Sequence, residues 1–242
     1  MRLEAVLFDW GDTLFHFAYD EALLEAGWRA GLEAVGRDEL PGHEEVAARF
    51  REKYFPLLWI PDSLDEIEYP EMIREALADF DANVSDEELM RFLQAEHEAW
   101  TPARQLGAHT HALLDSLHAR GLKLGLVSNA FDPGWLLRAD LERMGLAERL
   151  DAAVFSSEVG KRKPHPAIFA AALELLETDP KRALFVGDRR YADIRGASEA
   201  GMKTAQALWF RADDDERGIE ADFQAFTPVD VLNAVRRLLG EI

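Results

Sequence analysis

Beyond residue 110 the chain repeats one pattern four times: a stretch of helical period followed by a short apolar run. "THALLDSLHARG" precedes "LKLGLVSNA", "WLLRADLERMG" precedes "DAAVFSS", "AIFAAALELLE" precedes "RALFVGD", and "ADIRGASEAG" precedes "MKTAQAL". Strands that alternate with helices are joined by crossovers too long for hairpins, so they lie side by side as parallel neighbours. Helices cover both faces of such a sheet, which is why its strands read as continuous apolar runs. Residues 3–8 supply a fifth run at the start of the chain. The pattern predicts an α/β fold in which residues 1–15 and 101–242 form one domain around a five-stranded parallel sheet.

Residues 16–100 interrupt that domain. Four helices and no strand are expected there. "YDEALLEAGWRAGLEAVG" ends at Gly36, suited to a left-handed C-cap, and "PGHEEVAARFREKYF" runs from Pro41 to before Pro56. "EYPEMIREALADF" has Pro70 in its first turn, and "SDEELMRFLQAEHEAW" places Ser85 and Glu88 at capping-box spacing. These residues are predicted to form a separate helical module, hinged near residues 15–18 and 100–106. Tyr54, Trp59, Tyr69 and Trp100 read as its packing aromatics. The acidic run Asp213–Glu216 reads as a solvated loop.

Most of the net charge of −19 falls in the helical module, while residues 158–203 carry a slight excess of bases. An acidic chain is not built to bind nucleic acid, yet a local basic stretch can attract a small anion. There is no cysteine, which excludes disulfides and thiolate metal sites and fits a reducing cytoplasm. The N-terminus enters a strand at once, leaving no room for a signal peptide, and no apolar run reaches the ~18 residues of a membrane helix. The expected setting is the cytoplasm, with neither membrane nor nucleic acid as partner. The sequence is silent on oligomeric state.

Parallel sheets bind ligands beyond the carboxyl ends of their strands. Asp9, Ser128, Glu158 and Asp188 all fall close to predicted strand ends. "FDWGDTL" carries Asp9, and "FVGDRRYAD" carries Asp188 with Asp193 five residues on. Carboxylates brought together repel unless some take up protons; a hard divalent ion such as Mg²⁺ removes that cost. "VSNA" adds Ser128 and Asn129 as uncharged donors, and "GKRKPHPAIF" adds Lys163 in a rigid X-Pro segment. Phosphoryl transfer uses such a set: a carboxylate nucleophile, a metal site, neutral donors and a fixed positive charge. Lys161 and Arg162 read as loop surface. His109 and His111, two apart on a helix, diverge too far to share a metal.

In this order and at these spacings, "FDWGDTL", "LGLVSNA", "GKRKPHPAIF" and "FVGDRRYADIRGASEAGMKT" resemble the motifs of the haloacid dehalogenase-like (HAD) hydrolase superfamily, of the type with a helical cap inserted after the first motif. The resemblance covers nearly the whole chain. It implies a Rossmann-like parallel sheet core with residues 16–100 as an inserted α-helical cap domain. It also implies a Mg²⁺-dependent phosphatase of small phosphorylated metabolites. Asp9 would attack phosphorus to form a phosphoaspartate, and Ser128 and Asn129 would hold the transferring group. Lys163 would stabilise charge on Asp9 and the phosphate. Mg²⁺ would be bound by Asp9, the main-chain carbonyl of Gly11 and Asp188, with Asp193 close by, directly or through water.

Position 11 departs from the family pattern. Family phosphatases usually read DxDGT, the second Asp protonating the leaving group and then activating water. Here Asp9-Trp10-Gly11-Asp12-Thr13 displaces that carboxylate by one residue. The carbonyl at residue 11 survives the change; the acid/base side chain, worth ~10²–10⁴ in rate, does not. Adjacent side chains on a helical turn diverge by roughly 100°, so Asp12 can take the catalytic role only if the loop is rewound. His16, in the segment leading to the cap, is a second candidate. Two other activities stay open. One is a dehalogenase whose Asp attacks carbon without a metal, against which the Asp188–Asp193 pair argues. The other is a low-turnover protein of this fold that binds phosphate ligands or a protein partner.

Overall fold

A computed structural model describes residues 2–60, 63–210 and 217–241; Asp213–Glu216 and the side chain of Trp59 lie outside the described set. Along the chain, β1 (Ala5–Phe8) and a short strand β2 (Phe15–Phe17) are followed by four helices: α1 (Glu21–Val35), α2 (His43–Lys53), α3 (Tyr69–Ala78) and α4 (Asp86–Ala99). A second short strand, β3 (Arg104–Leu106), returns the chain to α5 (Thr110–His118), β4 (Lys123–Ser128), α6 (Gly134–Arg143) and β5 (Ala152–Phe155). Then come α7 (Ser156–Val159), α8 (Pro166–Leu175), β6 (Ala183–Gly187), α9 (Gly196–Glu199), β7 (Lys203–Ala207), β8 (Phe223–Ala225) and α10 (Pro228–Leu239). Among the described residues, no helix is long and apolar enough to cross a membrane.

The core sheet has the order β5-β4-β1-β6-β7-β8 and is parallel throughout. All five expected strands are present. The sixth, β8, is too short and too exposed to leave an apolar run in the sequence. β1 shows how the two faces are filled. Val6 and Phe8 join a cluster with Leu114, Leu126 and Val235, while Ala5 and Leu7 join one with Phe169, Ala172 and Phe185. Successive side chains point to opposite faces, and both faces are packed, so four consecutive residues are 0% exposed. β1 is also where the strand order reverses, with β4 on one side and β6 on the other. Its carboxyl end is the crevice in which sheets of this kind hold ligands.

The inserted helices pack around Trp28, whose ring centre lies 5.2 Å from that of Phe50 and 5.1 Å from that of Phe92. Their ends are capped as the sequence predicts. Gly36 closes α1 at φ 74°, and Ser85 and Glu88 exchange side-chain and backbone hydrogen bonds at the start of α4. Gly31 is required where α1 meets α4, because a Cβ there would stand 2.5 Å from the Phe92 ring. Tyr54 and Tyr69 are buried in this cluster, with Trp100 at its edge.

Where the chain crosses between insert and core, β2 and β3 pair antiparallel, Phe15 opposite Leu106, so the two crossings are bonded to each other. Two further contacts join insert to core. Glu66 N donates to the Gly160 carbonyl (3.1 Å) and Arg162 N to that of Leu64 (2.8 Å), while Lys161 pairs with Asp65. Arg162 differs from the sequence expectation: it is not loop surface, and its guanidinium donates to the Leu58 carbonyl at 2.9 Å. At the other contact, His97 of α4 is buried between Asp132 (3.1 Å) and Asp140 (2.9 Å). Arg104 lies 3.3 Å and the more exposed Arg143 2.9 Å from Asp140, completing an ionic network around a buried carboxylate. His111 has a packing role, sharing a hydrogen bond with the Met144 carbonyl at 2.7 Å.

Candidate active site

Because β1 lies between β4 and β6, the residues at their carboxyl ends meet. Asp9 follows β1, Ser128 ends β4 and Asp188 follows β6. Lys163 arrives from the turn before α8. Its Nζ lies 2.5 Å from Asp9 Oδ1 and 2.7 Å from Asp193 Oδ1, and donates to the Val127 carbonyl at 2.9 Å. Asp193 returns to the strand end on a wide turn, in which Ile194 N reaches back five residues to the Arg189 carbonyl. Its second oxygen accepts from Arg189 N at 2.9 Å. Gly187 makes room for this arrangement, since a Cβ there would stand 2.5 Å from Asp193 Cγ. One carboxylate oxygen from each of Asp9, Asp188 and Asp193 lies within 4.8 Å of the others, and all three residues are buried.

Of these three buried carboxylates, Asp9 and Asp193 share the Lys163 ammonium group. Burial pushes the Asp9 carboxyl up, Lys163 opposes the rise and Asp193 adds to it, leaving the group at about 6. Burial works against the charge on Lys163, but Asp193 and Asp9 outweigh it and hold the ammonium above the ordinary lysine value. The donor set fits a hard divalent cation. It offers oxygen and no imidazole or thiolate, and its excess negative charge exceeds what Lys163 balances.

The Asn129 side-chain amide is hydrogen-bonded to the Lys163 backbone. Its Oδ1 accepts from Lys163 N at 2.7 Å and its Nδ2 donates to the Lys163 carbonyl at 3.2 Å. The amide therefore fixes where the lysine side chain starts. Thr13 donates to Asp9 Oδ2 at 3.3 Å.

At the departure from the family pattern, Asp12 takes the left-handed conformation (φ 56°) and Gly11 does not. Left-handed backbone disfavours residues with a Cβ, although Asp tolerates it better than most. Asp12 Oδ1 accepts from Phe17 N at 3.2 Å and shares a hydrogen bond with His16 Nδ1 at 2.9 Å, which ties the carboxylate to β2. Among the described residues, a Cβ at Gly11 would meet only the tip of the Phe15 ring, at 3.7 Å, an ordinary contact. Among these residues, the backbone thus leaves room for a Cβ at residue 11.

His16 stacks on Phe210 at 5.5 Å. Trp10 is buried edge-on to Phe15, and its Nε1–H meets no hydrogen-bond partner among the described residues. Glu158 is paired with Arg138 at 2.8 Å. Glu66 carried no signal in the sequence. Its buried carboxylate accepts from Ser156 Oγ, which itself accepts from Ala130 N at 2.8 Å, beside Asn129.

The profile of the haloacid dehalogenase-like hydrolases matches residues 3–201. A phosphoserine phosphatase of Thermus thermophilus is 31% identical over 210 residues, 85% of this chain and 69% of that protein. A glyceraldehyde 3-phosphate phosphatase of Methanopyrus kandleri is 37% identical over 133 residues, 52% of this chain and 54% of that one. Against several such curated relatives, the chain spans about half of their length or less. A 2-haloacid dehalogenase of Pseudomonas syringae pv. Tomato is similar in structure over 97% of this chain and 99% of its own, with TM-score 0.67 and 26% identity. Profile, strand order and the acids at the strand ends agree: the chain belongs to the haloacid dehalogenase-like hydrolases.

Proposed function

We propose that the chain is a Mg²⁺-dependent phosphatase of small phosphorylated metabolites, working through a phosphoaspartate on Asp9. The observation that carries this is the trio of Asp9, Asp188 and Asp193 within 4.8 Å, with the Lys163 ammonium on two of them. A carboxylate that attacks carbon needs no metal, so the trio argues against a dehalogenase. The names of the relatives, phosphoserine phosphatase and glyceraldehyde 3-phosphate phosphatase, support a phosphorylated substrate. Asp9, Asp188 and the Gly11 carbonyl would hold the metal, with Asp193 alongside. When bound, Mg²⁺ neutralises phosphoryl oxygens and relieves repulsion among the acids.

The remaining work falls to the chain. An Asp9 oxygen attacks phosphorus, and the bond from phosphorus to the substrate oxygen breaks as the acyl phosphate on Asp9 forms. Lys163 orients Asp9 and offsets charge on the phosphoryl oxygens, Asn129 sets the position of Lys163, and Ser128 donates to the phosphoryl group. Water then attacks phosphorus, releasing phosphate and restoring the Asp9 carboxylate. The inserted helices exclude bulk water during the first step. Asp12 holds β2 and leaves the departing oxygen unprotonated.

The test is hydrolysis of a phosphate-ester panel with Mg²⁺, with EDTA and after Mg²⁺ is restored. Turnover should vanish and return. Undiminished turnover in EDTA, or metal-free halide release from 2-haloacids, would overturn the proposal. Asp188→Asn should raise the Mg²⁺ concentration for half-maximal rate by about tenfold or more, since ligand charge sets affinity; an unchanged Mg²⁺ titration removes Asp188 from the metal site. Gly11→Asp combined with Asp12→Gly places an acid in the open space and a glycine at the left-handed position. Turnover of alkyl phosphates should then rise by up to ~10²-fold. If Asp12→Asn alone abolishes turnover with Mg²⁺ binding intact, Asp12 is the acid/base group after all.

A further inference from the structure

We propose that the leaving group this site accepts is aromatic, so that its substrates are aryl phosphate monoesters; the inference rests on the phosphatase function proposed above. Two independent observations meet at residue 11. The first is the missing acid. Gly11 has no side chain, and the Asp12 carboxylate is bound to Phe17 N and His16. An alkoxide leaves poorly without a proton, whereas a phenol, with a pKa of about 10, leaves as phenolate far more readily.

The second observation is the aromatic side chain that stands nearest that position. The Phe15 ring tip stands 3.7 Å from where a Cβ of residue 11 would be. From Phe15 a row of rings runs outward. Phe17 lies edge-on to Phe15 at 6.5 Å, Trp100 stacks on Phe17 at 6.1 Å with planes 23° apart, and Tyr19 follows at 5.9 Å and Phe55 at 6.4 Å. Phe15 is 6% exposed and Tyr19 53%, so the row passes from the buried turn beside the nucleophile to the surface of the insert. Aromatic groups pack edge-to-face and offset against such rings, and an aliphatic polyol gains nothing comparable.

In the reaction the Asp9 carboxylate attacks phosphorus and the phosphorus–aryl oxygen bond breaks. The bonding pair departs with the phenolate, which solvent protonates. Water then opens the phosphoaspartate, giving inorganic phosphate and Asp9. No further reactant is required.

The experiment compares kcat/KM with Mg²⁺ for phenyl phosphate, 4-nitrophenyl phosphate, acetyl phosphate and glycerol phosphate. It also measures calorimetric binding of phenylphosphonate and methylphosphonate, which are not hydrolysed. Phenyl phosphate should exceed glycerol phosphate by about 10²-fold, for want of an acid. Phenylphosphonate should bind about two- to tenfold more tightly than methylphosphonate. Phe17→Leu and the exposed Tyr19→Leu should each lower the ratio of phenyl to acetyl phosphate turnover and narrow the gap between phosphonates. Circular dichroism checks that both variants fold. Glycerol phosphate turned over as fast as phenyl phosphate, or equal binding of the two phosphonates, overturns the aromatic assignment alone. No turnover of any of the four esters overturns the phosphatase function and this inference with it.

Discussion

Asp9→Asn leaves a folded protein whose phosphate-ester turnover falls by about 10⁴-fold or more. Removing a nucleophile that forms a covalent intermediate leaves only binding and charge stabilisation, which is why losses of this size follow such changes. Asn has nearly the shape of Asp, and Lys163 keeps its contacts to Asp193 (2.7 Å) and the Val127 carbonyl (2.9 Å), so the turn around it stays anchored. The measurement is 4-nitrophenyl phosphate hydrolysis with saturating Mg²⁺, alongside circular dichroism and a melting curve. Residual turnover within tenfold of wild type in a folded variant would take the nucleophile role away from Asp9.

His97→Ala should cost about 3–5 kcal/mol of stability at pH 6, the usual penalty for breaking a buried ion pair from one side. For a chain of this size that corresponds to a melting temperature lower by on the order of 10 °C. Burial works against a charged His97, yet its hydrogen bonds to Asp132 and Asp140 outweigh that and raise it from 6.5 to about 9. Asp140 is held below its ordinary value by His97, Arg104 and Arg143 against the effect of burial. Neighbouring Glu96, which accepts from Trp100 Nε1 at 2.8 Å, is pushed by burial and by the Asp132 charge to about 7.

A histidine whose pKa rises on folding contributes fully below 6.5, and its contribution drains away as the pH climbs through about 9. Glu96 acts in the same direction between 4.5 and 7, because its folded-state value is also the higher one. Asp140 already contributes in full above 3.8 and adds no slope there. The wild type should therefore lose stability in urea titrations between pH 6.5 and 9, and His97→Ala should be weaker at pH 6.5 but nearly flat above pH 7. Parallel pH profiles for the two proteins would show that His97 is not charged in the folded state.

Local pattern made the sheet legible. β1, β4, β5, β6 and β7 are buried runs, and a run buried on both faces is visible residue by residue. β2, β3 and β8 are three residues each, too short for any period to show. The approach of Asp9 to Asp188 was also readable, because strand ends in a parallel sheet point to one crevice; the places of Lys163 and Asp193, which lie in turns, followed only from the family resemblance. The grip of Asn129 on the Lys163 backbone was not readable, nor were the contacts of Glu66 and Arg162 and the burial of His97. Those contacts join irregular segments far apart in sequence, and their partners are set by how helices stack rather than by spacing along the chain. At Asp12 the residue order raised the right question, and only the backbone angle and the contact to Phe17 N gave the side chain its direction.

Pairing of β2 with β3 makes the entrance and exit of the helical insert one place in space, with Phe17 opposite Arg104 and Phe15 opposite Leu106. A segment spliced into a fold through a closed, hydrogen-bonded doorway behaves as a cassette. Its length and composition can change while the strand register outside the doorway is untouched. Evolution can therefore rewrite what the helices recognise, one insert at a time, with Asp9, Lys163 and Asp188 left standing where the sheet puts them.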